Sequence, residues 1–193
     1  MQMKEPYRAI YKIRGILMVP PFLFLLFVFF RETEQDNIIW PAGLAIFGIG
    51  VLLRVWAQTH LHYRLKVRKT LTTTGPYACI RNPIYVGNTV MMLGLTVLSE
   101  LLWFLPVMFF WCVIVYSLVV RREEAHLLGK YGEPYAEYLR KVPRWMPGVM
   151  TDRNRAGRSR QGRSFLWPSI VAELHCFLWL IPLVAKEVFP VWH

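Results

Sequence analysis

Three stretches of this chain, residues 38–57, 101–120 and 165–185, are predominantly apolar over 20 or 21 positions each. An α-helix needs about 20 such residues to cross a hydrocarbon layer of ~30 Å. Within lipid a helix is one of the few structures that satisfies its own backbone groups. Residues 15–30 come close to the same length, and residues 84–98 are shorter. The latter run on into Leu101 through Ser99-Glu100, which reads as a tight turn joining two helices. The expected fold is therefore all-α: a polytopic membrane helical bundle of four to five transmembrane helices. The last block carries Glu173 and His175 among apolar residues and is bounded by Pro182 and Pro190. It reads as a fifth crossing or a re-entrant element.

Composition agrees, with 55% hydrophobic residues among 193. The formal charge of +11 points to a membrane surface, because of where the charge lies; no nucleic-acid partner is expected. Basic residues gather before residue 15, between His60 and Arg81, and between Arg121 and Arg163. The segment between Arg31 and Asn37 carries Glu32, Glu34 and Asp36 against one arginine, and Ser99-Glu100 has no cation. Even numbers of crossings put the basic segments on one side, which the positive-inside rule makes cytoplasmic. The N-terminal block has no small-residue cleavage site before Arg31. Cys79, Cys112 and Cys176 have no paired spacing, which argues against a disulfide framework or a zinc site; no metal is expected.

One integral membrane domain, 1–193, divides into N-terminal membrane helices (1–58), a polar-site core (59–150), a polybasic linker (151–164) and a C-terminal membrane or re-entrant helix (165–193). The linker, with five arginines among Gly and Ser, suits anionic lipid headgroups at ~1 kcal/mol per basic residue. Gly43, Gly48 and Gly50 lie inside a membrane helix, where close packing is the natural reading. Arg54, one turn from the end of that helix, reads as snorkelling to headgroups, with a substrate contact as the alternative. His60 and His62 stand two apart, so they do not share a helix face; they read as solvated interfacial residues, with His62 near enough to the following loop to touch a ligand. Tyr131, Tyr135 and Tyr138 read as interfacial anchors.

Two polar clusters bracket the hairpin. Thr74 through Gly87 holds Gly75-Pro76, Tyr77, Arg81, Asn82-Pro83 and Tyr85 between apolar runs. Arg121-Arg122-Glu123-Glu124 follows the next helix. Pro83 marks a helix start, whose free amides and positive dipole end suit a carboxylate or phosphate. Glu123 and Glu124 sit toward a helix C-terminus, where the dipole disfavours acids, so they pair with Arg121 or Arg122 or bind something rich in donors. Tyr77 and Tyr85 offer aromatic faces. S-adenosyl-L-methionine carries the carboxylate, base, ribose and cation that this set would satisfy.

From Lys69 to Pro147 the order and spacing of these residues, closing with Gly132, Tyr135, Tyr138 and Val142-Pro143-Arg144, resemble the isoprenylcysteine carboxyl methyltransferase and phospholipid methyltransferase family. The resemblance implies a small helical membrane enzyme using S-adenosyl-L-methionine and releasing S-adenosyl-L-homocysteine, with a cofactor pocket on the cytoplasmic face. Carried over, Lys69, Thr70, Leu71 and Thr72 would wrap the cofactor through backbone. Tyr77, Asn82, Pro83, Ile84 and Tyr85 would contact it, and Glu123 would hold its polar groups from the facing helix. Tyr85 and Glu123 are thus expected to meet around a shared hollow. Asn82 stands where the family most often has histidine, and an amide does not titrate near neutral pH. The family's substrate-positioning arginine falls near Val119, for which Arg121 or Arg122 would substitute.

The expected reaction is methyl transfer to a lipid or lipid-linked acceptor. A headgroup amine would need a proton acceptor, for which Glu124 is the candidate; a prenylcysteine-type carboxylate would need an orienting arginine such as Arg122. The amine is slightly favoured. Two rivals stand beside this reading: a nicotinamide-dependent membrane sterol or enone reductase, and a lipid-binding scaffold without catalysis.

Overall fold

The computed structural model describes residues 15–30, 36–63, 71–146 and 166–188, and their regular structure is helical throughout. Helix α1 is Val19–Phe27, α2 is Asp36–Tyr63, α3 is the single turn Pro76–Cys79 and α4 is Pro83–Leu98. Helix α5, Leu105–Tyr131, follows a 3₁₀ turn at Leu102–Phe104; α6 is Glu133–Lys141. A 3₁₀ turn at Leu174–Trp179 joins α7, Leu166–Glu173, to α8, Leu180–Val188. Proline opens α1, α3, α4, α5 and α6, the position where its missing N–H costs nothing and its fixed φ fits a helix. Ser99-Glu100 forms the expected tight turn, with Glu100 at φ 64°.

The main seam lies between α2 and α4. A Cβ added at Gly43 would stand 2.7 Å from Leu98 Cγ, one at Gly94 2.6 Å from the Phe47 amide nitrogen, and one at Gly50 2.5 Å from Met91 Cγ. At Gly87 it would meet Arg54 Cγ at 2.8 Å. Contacts advance along α2 as they retreat along α4, so the two helices run antiparallel with backbones almost touching. Lipid removes most of the hydrophobic drive for helix association, and small residues replace it with close van der Waals contact. Gly43 and Gly50 therefore pack as the sequence suggests, while Gly48 faces open space.

Three segments are long and apolar enough to cross a membrane: Asn37–Leu61, Leu102–Tyr131 and Leu166–Glu187. Pro83–Leu98 is apolar but shorter, 16 residues or about 24 Å. Within the expected N-terminal crossing the helix is broken at residues 17–18, and α1 runs for nine residues from Val19 before Val28 turns extended. Length alone thus supports three crossings among the described residues, and a count of four to five rests on the two shorter helices.

The C-terminal element runs alongside this bundle. Glu173 pairs with Arg54 of α2. Thirteen positions on, Lys186 Nζ donates to the carbonyls of Val28 at 3.2 Å and Ser99 at 3.4 Å, and lies 4.6 Å from the centre of the Phe29 ring. Its two anchorages reach opposite ends of α4, so it runs along the length of that helix. The indoles of Trp103 and Trp111 donate to the carbonyls of Phe30 and Leu17, both at 3.0 Å, and draw α5 against the N-terminal segment.

The seam predicts that Gly94→Val, which overpacks a backbone contact, lowers stability by about 1–3 kcal/mol, read as earlier thermal unfolding in detergent. Gly48→Ala, whose methyl would meet nothing within 4 Å, should leave the transition unmoved.

Candidate functional site

The polar residues collect where α4 begins and α5 ends. Gly75 adopts φ 64°, ψ −133°, backbone open to glycine and costly for other residues. The ring of His60 closes over it: a Cβ there would lie 2.5 Å from His60 Cε1, and His60 Nε2 is 3.1 Å from Thr74 Oγ1. His60 is thus a packing partner of the loop, a correction to its reading as a solvated interfacial residue. The loop then turns through α3 to Asn82, whose carbonyl accepts the Tyr85 and Val86 amides at 3.1 and 3.2 Å. Pro83 has no amide, so fewer free donors face outward at this helix start than the several expected.

The two glutamates of α5 point to different partners. Tyr85 Oη donates to Glu123 Oε2 at 3.0 Å, and the Tyr85 ring tilts against Tyr116 with centroids 5.2 Å apart. Tyr85 and Glu123 therefore meet, but they touch directly rather than around the expected hollow. A nucleoside would have to lie beside the pair or part it. Glu124 is buried and takes a guanidinium on each side: Arg81 Nη1 donates to Oε1 at 3.0 Å, and Arg144 donates to Oε1 at 3.2 Å and to Oε2 at 2.5 Å. For Glu124 the expectation of pairing with Arg121 or Arg122 is corrected, since it turns instead to Arg81 and Arg144. Arg121 and Arg122 are exposed.

Helix α6 closes the far side. Tyr138 Oη donates to the Tyr77 carbonyl at 2.8 Å, and the Arg81 amide donates to the Pro143 carbonyl at 3.0 Å. Tyr135, Tyr138 and Val142 form a second small core with Leu71, Leu127 and Leu139 packed against it. Burial raises the Tyr135 phenol well above its ordinary range, helped by the negative charges of Glu124 and Glu123; burial likewise raises Tyr138. Both stay protonated and inside, which corrects their reading as interfacial anchors. Tyr131 is half-buried beside them.

Three polar atoms in this layer are buried without a hydrogen-bond partner: Thr72 Oγ1, Arg81 Nε and Asn82 Nδ2. A buried polar atom left unpaired costs about 1–3 kcal/mol. Two of the three belong to residues that the sequence assigns to the cofactor, and together they offer donors and a hydroxyl to a polar ligand.

Of the residues that the sequence assigns to the site, Tyr85 touches Glu123, Tyr77 is bonded to α6 and Leu71 packs against it. Glu124 holds Arg81, which leads into Asn82, Pro83 and Ile84, and Thr72 is buried. Lys69, Thr70 and the 151–164 linker lie outside the described residues, as does the side chain of His62. Arg54 departs from its first reading. It does not snorkel, but donates Nη2 to Glu173 Oε1 at 3.1 Å and Nη1 to Asn88 Oδ1. Its Nε is 2.7 Å from Glu173 Oε2, an ion-pair approach rather than an aligned hydrogen bond. Sequence reasoning missed Asn88 and the roles of Glu173 and Arg144. A charged residue inside each of two apolar segments was the available signal that Arg54 and Glu173 pair.

The phospholipid methyltransferase family model matches residues 39–134, which contain α2, the polar loop, the hairpin and both glutamates. The cobalt-zinc-cadmium resistance protein CzcN of Cupriavidus metallidurans is 30% identical over 138 residues, covering 69% of this chain and 62% of that protein. The human protein-S-isoprenylcysteine O-methyltransferase is 30% identical over 150 residues, 63% of this chain and 50% of that one. The Gallus gallus Delta(14)-sterol reductase LBR is 28% identical over 67% of this chain but only 23% of its own length. No solved structure matches. The chain spans less than two thirds of the length of these relatives. With the matched region centred on the loop and glutamates described above, the chain belongs to the isoprenylcysteine carboxyl methyltransferase and phospholipid methyltransferase family of integral membrane proteins.

Proposed function

We propose that this protein transfers a methyl group from S-adenosyl-L-methionine to a lipid or lipid-linked acceptor, at the layer where α4 begins. The observation that carries the reading is the set of unpaired buried polar atoms on Thr72, Arg81 and Asn82. They lie in the segment that resembles the family's cofactor loop, and Arg81 and Asn82 lead directly into the helix that carries Tyr85. Asn82 and Thr72 would hold the cofactor's polar groups, Ile84 would offer its amide, and Tyr85 and Glu123 would bound the nucleoside side. The cofactor supplies a methyl group already activated on its sulfonium. What remains for the protein is alignment and exclusion of water. The basic segments at this end support a cytoplasmic orientation.

Glu124 also has a structural part: with both oxygens engaged by Arg81 and Arg144, it anchors the loop and the segment after α6 to α5. A headgroup amine and a prenylcysteine-type carboxylate both remain substrates that this layer would admit from the lipid side. Methyl-label transfer onto a total lipid extract and onto a prenylcysteine, with each product identified by mass, distinguishes them.

Isothermal titration of the purified protein with S-adenosyl-L-homocysteine and with NADPH tests the cofactor. Binding of the homocysteine compound alone is expected. Binding of NADPH alone would favour the reductase reading, and binding of neither the scaffold. Tyr85→Ala and Asn82→Ala should each weaken the homocysteine compound about tenfold or more, the loss of one or two hydrogen bonds to charged or buried groups. Glu124→Ala should cost about 3 kcal/mol of stability, as for a buried pair broken from one side. Adding Arg144→Ala should then cost clearly less than the two single losses together; fully additive losses would separate the two residues.

A further inference from the structure

The Arg54–Glu173 pair is distinct from the loop and glutamates just described. Arg54 lies within the matched family region and Glu173 beyond it. The side chains are 16% and 3% exposed, and both belong to segments long and apolar enough to cross a membrane. Glu173 also accepts from the Cys176 thiol at 3.3 Å. A buried ion pair of this kind adds little or no net stability compared with apolar residues of similar size. Its effect must be sought in geometry.

That geometry leads to α4. Asn88, which Arg54 grips through Oδ1, stands three residues beyond Tyr85, one turn along the same helix. Gly87 lets the two backbones close to a distance at which an added Cβ would lie 3.0 Å from the Gly50 carbonyl and 2.8 Å from Arg54 Cγ. Arg54 therefore lies across the first turns of α4, and Glu173 fixes the guanidinium from the opposite side. Without the carboxylate, an arginine in this layer would extend toward the headgroups and release Asn88.

We propose that Glu173 is a positioning residue for the methyl-transfer site, holding Arg54 against Asn88 and thereby setting where Tyr85 meets Glu123. The C-terminal element is then part of the working site although it contributes no side chain to it. This inference rests on the cofactor reading above.

The decisive variant is Arg54→Met/Glu173→Leu, which removes both charges together and leaves neither stranded. Three readouts are taken on the full-length protein in detergent: thermal unfolding, affinity for S-adenosyl-L-homocysteine, and hydrogen exchange of the amides of residues 85–90 in the cofactor-free protein. Unfolding is expected near the wild-type temperature, with affinity down about tenfold and faster exchange confined to the start of α4. The charge-swapped Arg54→Glu/Glu173→Arg should recover part of the affinity that Glu173→Gln alone loses. Unchanged affinity and exchange in the apolar pair would overturn the proposal. So would an affinity loss in every variant that merely follows the fall in melting temperature. If the wild type binds no S-adenosyl-L-homocysteine, the cofactor reading falls and takes the catalytic part of this inference with it. The exchange data would still report whether Glu173 orders α4.

Discussion

Backbone contact between α2 and α4 governs this molecule. In water, two helices can be held together by the apolar area they hide; lipid offers no such gain. Here the association relies on glycines placed so that Phe47, Met91 and Arg54 fit where side chains would otherwise stand. Because the fit is steric, it fixes distance and register together. The start of α4 is therefore set to within the tolerance of van der Waals contact, and Asn82 and Tyr85 are carried with it.

A second layer is assembled on this base by polar means. The loop before α4 would have few reasons to keep one conformation by itself. It is fastened by Arg81 to Glu124, by its backbone to Pro143, and by Tyr138 to the Tyr77 carbonyl. Buried charge-assisted bonds of this kind carry directional preference that apolar packing lacks. Shape holds the membrane half and hydrogen bonding holds the other, and the unpaired atoms of Thr72 and Asn82 fall at their junction.

Much of this was legible in the chain, for identifiable reasons. Hydrophobic length marks membrane segments directly, and the order of Asn82-Pro83, Tyr85 and Glu123 predicts that a loop and a distant helix end share a site. Gly43 and Gly50 could be read as packing residues, but their partners could not, because nothing in a sequence gives the register of two helices separated by a loop. Arg54 failed for the same reason. Its position near a helix end fits snorkelling equally well, and its partner stands 119 residues away. The assignment of Glu124 to Arg121 or Arg122 assumed that neighbours in sequence pair, whereas the inward-facing carboxylate meets the loop and the α6 segment. The tyrosines of α6 were read by the habit of aromatic residues at bilayer boundaries, and only their burial reveals the small core they form.

The separation between Arg54 and Glu173 bears on how the chain is made. When α2 leaves the ribosome and enters the bilayer, its arginine has no counter-ion and carries an insertion penalty of up to about 2.5–3.5 kcal/mol. At ~5–20 residues per second, the matching acid follows roughly 6–24 s later. During that interval the guanidinium can only reach for phosphates at the boundary, and α2 must sit higher or lean until α7 arrives. Maturation of this pair therefore waits on the segment that carries Glu173, and a ribosome that stopped just short of it would leave an inserted but unneutralised helix for quality control to find.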